Sequence, residues 1–186
     1  MATENSSSSS SGERMLISCD PDKCDGCSIC ELVCSHVKEG TFIPTLSRIR
    51  TVRLHHVANI AIACRHCEDP SCVKACTKSE ALKIENHILV CDREKCNLCG
   101  WCVDACPFGT IFLDSRAEKL CAVMCDLCIH DRIDGEPPCV KYCPKEALSL
   151  ESAKSMAQKA KGNIVYTRLS ELETETPRKG VIIVEK

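Results

Sequence analysis

The chain is 186 residues long, and its 24 basic and 26 acidic residues leave a formal net charge of −2. Because the charges balance and no basic tract occurs, the composition argues against a nucleic-acid-binding protein. No apolar run approaches the ~20 residues of a membrane helix. The N-terminus has neither a signal-peptide pattern nor a twin-arginine pair. We therefore expect a cytoplasmic protein without a membrane span.

Cysteine is the most unusual component of the chain, with 19 residues. In a short secreted protein this content would suggest a disulfide framework. Here the count is odd, no secretory signal precedes the cysteines, and they fall into four tight groups with the spacing of metal ligands. We interpret these cysteines as ligands.

The N-terminal part of the chain leads into the first cysteine group. Residues 1–14 contain six consecutive serines and little apolar content, which predicts a flexible tail. Met15–Cys19 (MLISC) is a short apolar run and predicts a strand. An extended connector is predicted over Val37–Ile60. The first group is spaced x2, x2, x3 and is followed by serine: Cys24, Cys27, Cys30, Cys34.

The second and third groups are separated by a predicted β-hairpin, in which Ala81–Ile84 and Ile88–Val90 flank Glu85-Asn86-His87. The second group is spaced x2, x4, x3 and is followed by Thr77: Cys64, Cys67, Cys72, Cys76. The third group is spaced x2, x2, x3 and is followed by Pro107: Cys96, Cys99, Cys102, Cys106.

The fourth group has a wide internal gap, spaced x2, x10, x3, and is followed by Pro144: Cys125, Cys128, Cys139, Cys143. The gap holds Asp134-Gly135 and Pro137-Pro138, which predict a surface loop. A short strand follows in KEALSLE, and Ser152–Lys161 is compatible with a helix. We expect the extension over residues 152–186 to cover the core or to dock a partner.

The spacing within a group indicates how its sulfurs are used. Two-residue gaps let one tight loop direct three sulfurs at one metal core, whereas the wider gap carries the fourth sulfur away on the start of a helix. Pro107 cannot continue that helix. A structural zinc site needs four sulfurs converging on one ion, so the spare thiolates and the trailing proline make zinc a poor fit. Because aromatic residues make up only 3% of the chain, we expect inorganic clusters to occupy much of the interior.

An internal repeat organises the four groups. MLISCDPDKCDGCSICELVC matches ILVCDREKCNLCGWCVDAC, and SCVKACTKSEALKIE matches PCVKYCPKEALSLE. The hairpin joins groups two and three into an inner unit, about residues 61–112. By the same logic Met15–Ser18 should pair with Ala147–Leu150. That pairing closes groups one and four into an outer unit, residues 15–60 plus 113–151.

Three cysteines and one histidine remain outside the ligand pattern. Cys19 and Cys91 each lie five residues before the first ligand of a group, and we predict small buried side chains at strand ends. Cys121 has no repeat partner, and we treat it likewise. His66 is open to two interpretations, a hydrogen bond to a cluster or a solvent-facing side chain, of which we favour the second.

The four groups resemble those of the four-cluster ferredoxin-type iron–sulfur subunits of complex redox enzymes, over about Met15–Glu151. These enzymes include molybdenum and tungsten oxidoreductases, formate dehydrogenases, formate hydrogenlyase, hydrogenases and carbon monoxide dehydrogenase. The resemblance implies an α+β fold of two ferredoxin-like dicluster units, one inserted in the other, with short β-hairpins and short helices. It also implies four [4Fe-4S] clusters, because each group gives three sulfurs to one cluster and its last sulfur to the partner cluster.

Together with the predicted hairpin and repeat, the resemblance implies four ligand sets. They are Cys24, Cys27, Cys30 with Cys143; Cys125, Cys128, Cys139 with Cys34; Cys64, Cys67, Cys72 with Cys106; and Cys96, Cys99, Cys102 with Cys76. Ser35 and Thr77 depart from the family pattern by replacing the trailing proline.

The resemblance implies one-electron transfer, with the chain itself not an enzyme. No nucleophile–base pair, phosphate loop or flavin fingerprint is present in the sequence. We expect electrons to pass between a catalytic metal-cofactor subunit and another redox partner in an anaerobic oxidoreductase complex. This small chain best resembles the iron–sulfur subunits that partner tungsten aldehyde-oxidoreductase-type enzymes. Carbon monoxide dehydrogenase, hydrogenase and formate dehydrogenase are the alternative catalytic partners. A free polyferredoxin shuttle and an iron–sulfur maturation protein are the other two interpretations.

Overall fold

The computed structural model describes residues 13–54, 58–77, 80–114 and 121–161. The chain divides into a unit ending at Ser152 and a unit over residues 153–186. In the second unit, residues 153–161 form a helix, as the sequence predicts. Residues 1–12 of the predicted tail and residues 162–186 of the predicted C-terminal extension lie outside the described residues.

The strands of the described part form two-stranded antiparallel sheets. β1 (Met15–Cys19) pairs with β8 (Leu148–Ser152), and Ile17 lies opposite Leu150. β4 (Leu82–Glu85) pairs with β5 (Ile88–Cys91). Both pairings confirm the sequence prediction with bounds shifted by one or two residues. The β4–β5 turn has two residues with φ of 48° and 64°, Asn86 and His87, which is the handedness that matches strand twist.

Two further hairpins were not predicted. β2 (Arg50–Leu54) pairs with β3 (Ala58–Ile62), and β6 (Phe112–Asp114) pairs with β7 (Cys121–Val123). They occupy equivalent places in the repeat, because β3 ends two residues before Cys64 and β7 ends two residues before Cys125. The prediction of an extended connector over Val37–Ile60 is therefore wrong in detail, since it missed this hairpin and the end of a helix.

The helices are short and lie within the cysteine groups. They are α1 (Ile29–Glu39), α2 (Ser71–Ala75), α3 (Trp101–Asp104) and α4 (Pro138–Lys141), with a 3₁₀ turn at Pro44–Leu46. The fourth sulfur of groups two, three and four follows a helix, so the prediction that it starts one is wrong. Among the described helices, only α1 continues past a fourth cysteine, Cys34. Ser35 permits this because a proline there would interrupt the helix, although α2 ends at Ala75 even with Thr77 in place of proline.

The core of the described unit is built from small aliphatic side chains and cysteines. Buried residues include Ile17, Ile49, Ala81, Leu127 and Leu148, whereas no Phe, Tyr or Trp of the described residues is buried. Pro137 and Pro138 are almost fully buried, so only Asp134-Gly135 forms the predicted surface turn. Proline is buried here because it has no N–H group to satisfy, and Pro138 begins α4.

Candidate metal-cluster sites

Three cysteines of group two and the last cysteine of group three line a single cavity. Its wall contains the thiols of Cys64, Cys67 and Cys72 and the thiol of Cys106 from beyond α3. Cys64 and Cys72 are buried, and Cys106 is half-buried. The predicted set of four is therefore brought together, although Cys106 is more than thirty residues from the others along the chain.

Two more of the predicted sets each line a cavity of their own. Ala61, Ala147 and Leu148 complete the wall of the first, whose thiols are those of Cys24, Cys27, Cys30 and Cys143. Ala81, Leu82 and Ala122 complete the wall of the second, whose thiols are those of Cys76, Cys96, Cys99 and Cys102. Each cavity combines four sulfurs with small apolar side chains, although Cys27 in the first and Cys99 in the second are exposed.

The fourth predicted set is the most deeply buried. Its members, each 5–6% exposed, are Cys34, Cys125, Cys128 and Cys139. Burial raises the pKa of Cys139, and the neighbouring Cys125, Cys34 and Cys128 raise it further because their negative charges would lie close by. The α1 sulfur thus meets the group-four sulfurs, as the strand pairing of β1 with β8 requires.

Burial keeps several of these thiols protonated at neutral pH until a metal displaces the proton. Burial raises the pKa of five of them to about 11: Cys30, Cys64, Cys72, Cys102 and Cys128. Because metals bind the thiolate, proton release accompanies metal binding, and the gain in free energy is linked to folding.

Hydrogen-bond donors point at several of the sulfurs and fit a thiolate ligand. Backbone N–H groups of Arg48, Leu127 and Ala147 donate to the Sγ atoms of Cys34, Cys125 and Cys143 at 3.3, 3.4 and 3.3 Å. Donors of this kind stabilise negative charge on the sulfur and tune the metal centre.

Cys106 shows the strongest effect of such donors. Burial opposes its ionisation, but the N–H and hydroxyl of Thr110 and the N–H groups of Phe108 and Gly109 hold the pKa of Cys106 below its usual value. Its Sγ lies 3.6 Å from the Thr110 hydroxyl. This thiol is therefore prepared to act as an anionic ligand.

A common backbone turn shapes the ligand loops. The residue before the second cysteine of every group has a positive φ: Gly26 (74°), His66 (45°), Leu98 (56°) and Leu127 (56°). In groups one, three and four an Asp or Asn oxygen accepts the N–H of that second cysteine, at 3.1–3.3 Å. This Asx turn supports the left-handed residue that follows it. The Asp or Asn after the first cysteine is the sequence signal for the turn.

The structure also places the residues outside the ligand sets. Cys19 and Cys91 end β1 and β5 and are half-buried, and Cys121 is buried at the start of β7. His66 is only 4% exposed, and its Nδ1 accepts the N–H of Leu89 at 3.2 Å. The favoured solvent-facing interpretation is therefore wrong. Burial lowers the pKa of His66 to about 4, so the ring is neutral.

No disulfide forms, since all 19 cysteines are free thiols. In the described part of the chain, no three His, Cys, Asp or Glu side chains converge as they would on a single metal ion. Four thiols spread around a cavity instead suit a [4Fe-4S] core, which offers each sulfur its own iron atom. The donor set, the apolar walls and the N–H groups aimed at sulfur all fit that cofactor.

Of the helices in the described ranges, none has the length and apolar character of a membrane span.

Several known proteins are similar to this chain in sequence. The 4Fe-4S dicluster domain family matches residues 56–153, just over half of the chain. The polyferredoxin-like subunit of aliphatic sulfonate oxidoreductase from Pyrococcus furiosus is 40% identical over 132 residues, covering 70% of this chain and 72% of that subunit. The putative electron transport protein YsaA from Escherichia coli is 38% identical over 140 residues, covering 72% of this chain and 87% of YsaA.

Among solved structures, a chain of the active-site complex BamBC of benzoyl coenzyme A reductase is 21% identical, with a TM-score of 0.41. The similarity covers 87% of this chain and 99% of that one. Because the family model covers more than half of the chain and the two relatives are at least 38% identical to it, the chain belongs to the 4Fe-4S dicluster domain family of ferredoxin-type electron-transfer proteins.

Proposed function

We propose that the chain transfers electrons through four [4Fe-4S] clusters as the iron–sulfur subunit of a cytoplasmic oxidoreductase complex. The proposal is supported above all by the meeting of thiols from distant groups in the combinations that the repeat predicts. The proposed ligand sets are Cys24, Cys27, Cys30, Cys143; Cys34, Cys125, Cys128, Cys139; Cys64, Cys67, Cys72, Cys106; and Cys76, Cys96, Cys99, Cys102.

We further propose that two dicluster units are nested in the chain. The β4–β5 hairpin joins groups two and three, which supports an inner unit over about residues 61–112. The β1–β8 pairing joins groups one and four, which supports an outer unit over residues 15–60 and 113–151. In this arrangement the inner unit is inserted between the two segments of the outer unit.

The residues of this chain would position the clusters, stabilise their charge and surround them with apolar side chains. When bound, each [4Fe-4S] cluster takes up and releases one electron, with a potential set by hydrogen bonds, charge and burial. Apolar neighbours such as Ala61, Ala81 and Leu148 keep water from the sulfurs. Backbone N–H groups stabilise the negative charge that the thiolates carry.

Two proposed ligands lie nearer the solvent than the rest. Cys27 and Cys99 are the exposed cysteines, and they occupy equivalent positions in the repeat. A partner that approaches either sulfur comes close to a cluster without any rearrangement of the chain. These two loops are therefore our candidates for the points where electrons enter and leave.

The proposed partners are a catalytic oxidoreductase subunit and a further electron carrier. The names of similar proteins support this assignment, since they include the polyferredoxin-like subunit of one oxidoreductase and the electron transfer subunit PhsB of thiosulfate reductase. A tungsten aldehyde-oxidoreductase-type enzyme is our first candidate for the catalytic subunit. No residue of the chain is assigned a catalytic role.

Iron analysis and one ligand variant test the cluster assignment. An anaerobic preparation should contain about 16 iron atoms per chain, four for each of four clusters, and a reproducible value near 8 in folded protein would contradict the proposal. Cys106→Ser should alter the cluster of Cys64, Cys67 and Cys72 and leave that of its own loop intact, whereas the control Cys121→Ser should alter neither. Co-purification from native cells with a larger catalytic subunit separates a subunit from a free shuttle.

A further inference from the structure

A lysine lies almost buried beside the proposed cluster of Cys34, Cys125, Cys128 and Cys139. Lys38 follows Cys34 by four residues on α1, so the two side chains share one face of the helix. The Lys38 side chain is only 8% exposed. Its Nζ lies 2.9 Å from Asp126 and 2.7 Å from Asp131. Asp126 itself stands between Cys125 and Cys128 in the ligand loop, which brings the ammonium close to the sulfurs.

A second cation joins the same network. Arg48 has a side chain 13% exposed, and its Nη1 lies 3.0 Å from Asp126. Its backbone N–H donates to Cys34 Sγ at 3.3 Å. The network therefore places two nearly buried positive groups beside one proposed cluster. Its acidic members are Asp126, Asp131, which is 44% exposed, and Glu39, which lies 3.8 Å from Arg48.

The charge of Lys38 acts on a proposed ligand, Cys128. Burial raises the pKa of Cys128 to about 11, and among the charges around it the positive charge of Lys38 has the greatest effect, ahead of the negative charge of Asp126. The positive charge of Lys38 thus opposes the negative charges of Asp126 and Asp131 at Cys128, and it favours added negative charge on the sulfur.

The repeat lacks this lysine in its second copy. Aligning Cys34 with Cys106 places Thr110 opposite Lys38. Thr110 is neutral and buried, and its hydroxyl lies 3.6 Å from Cys106 Sγ. The difference arises because Ser35 lets α1 run on to Glu39, whereas the chain after Cys106 leaves the helix before Pro107. The two equivalent cluster sites thus differ in this nearly buried lysine, and also in the residue after the first cysteine, which is Asp126 at one site and Arg65 at the other.

We propose that Lys38 holds the cluster of Cys34, Cys125, Cys128 and Cys139 at a higher reduction potential than it would have without this charge. The inference rests on the ligand sets of the proposed function. Reduction adds one negative charge to the cluster, and a cation in a poorly solvated site stabilises that charge more strongly than one in water. An electron moving along the chain would accordingly reside longer at this cluster.

Redox titration followed by electron paramagnetic resonance tests the inference on the full chain. In Lys38→Met the equilibrium constant for one-electron reduction of this cluster should fall by about tenfold or more. A tenfold fall lowers the reduction potential by about 59 mV. Lys38→Arg should restore most of the potential, and Asp131→Asn should shift it in the opposite direction. The matched control is Lys141→Met, because Lys141 also follows a proposed ligand of this cluster but forms an exposed pair with Asp134 and should shift the potential little.

The Cys139→Ser variant identifies which cluster is affected, because it should change the same electron paramagnetic resonance signal as Lys38→Met. A full iron content with an unchanged potential in Lys38→Met would overturn the inference, and so would an equal shift in the control. If Lys38→Met loses its iron, the Asp131→Asn variant provides the test. A reduction potential above that of the wild-type cluster supports the inference, and an unchanged potential refutes it. The iron content and spectra of the wild-type protein test the proposed function separately, ahead of any comparison between variants.

Discussion

Gly26, in the first ligand loop, provides a stability test with a matched control. Its φ of +74° lies in the left-handed region, and a Cβ added there would come within 2.8–2.9 Å of the Asn59 amide and 3.1 Å of Arg53 Nε. Arg53 also donates to the Gly26 carbonyl oxygen, at 2.6 Å from Nη2. Gly26→Ala would therefore strain the backbone and force both side chains away from it.

The expected loss of stability has three parts. The left-handed conformation costs an alanine about 1–2 kcal/mol, and displacing Asn59 from its rotamer costs about 0.5–1.5 kcal/mol. Weakening the partly exposed Arg53 hydrogen bond costs about 1 kcal/mol. Gly100→Ala is the control, because its φ is +80° but its nearest atom is Leu113 Cδ1 at 3.9 Å. Gly100→Ala should therefore lose only about 1–2 kcal/mol of stability, from backbone strain alone.

The assay is loss of the visible cluster absorbance on anaerobic heating, at one scan rate for all variants because cluster loss is irreversible. With about 2–4 °C per kcal/mol for a domain of this size, Gly26→Ala should lose its clusters about 3–10 °C below Gly100→Ala. Equal midpoints for the two variants would refute the argument, since they would show that contact with Asn59 and Arg53 carries no cost.

Two further predictions concern thiols and a helix. Replacing Cys19, Cys91 or Cys121 by alanine should keep the full iron content and cost on the order of 1 kcal/mol; loss of four irons in any one variant would mean that it is a ligand. Ser35→Pro should cost about 3 kcal/mol or more because it interrupts α1. Ser35→Ala should cost about 1–3 kcal/mol, because the Ser35 hydroxyl accepts the N–H of Ile43 at 3.1 Å. Thermal loss of cluster absorbance measures both, and a Ser35→Pro protein as stable as wild type would contradict the role of this serine.

Local spacing in the sequence by itself determined much of this protein. The four cysteine groups, strand β1, the β4–β5 hairpin and the strand after group four follow from residues close together in the chain. The repeat extended this to the pairing of β1 with β8, because two copies of one unit close in the same way. Ligand spacing and turn chemistry act over a few residues, so the sequence alone expresses them.

Tertiary contacts decided the features that depend on distant partners. His66 is buried because the N–H of Leu89 on β5 needs an acceptor, and nothing in CRHC reveals that partner. The β2–β3 and β6–β7 hairpins lack a strong turn signal and form against the core. In the sequence Lys38 falls within the predicted extended connector, and only the approach of the group-four loop brings Asp126 and the proposed ligand sulfurs to it. Burial and charge at such a site depend on which segments meet, and that is set by packing across the whole unit.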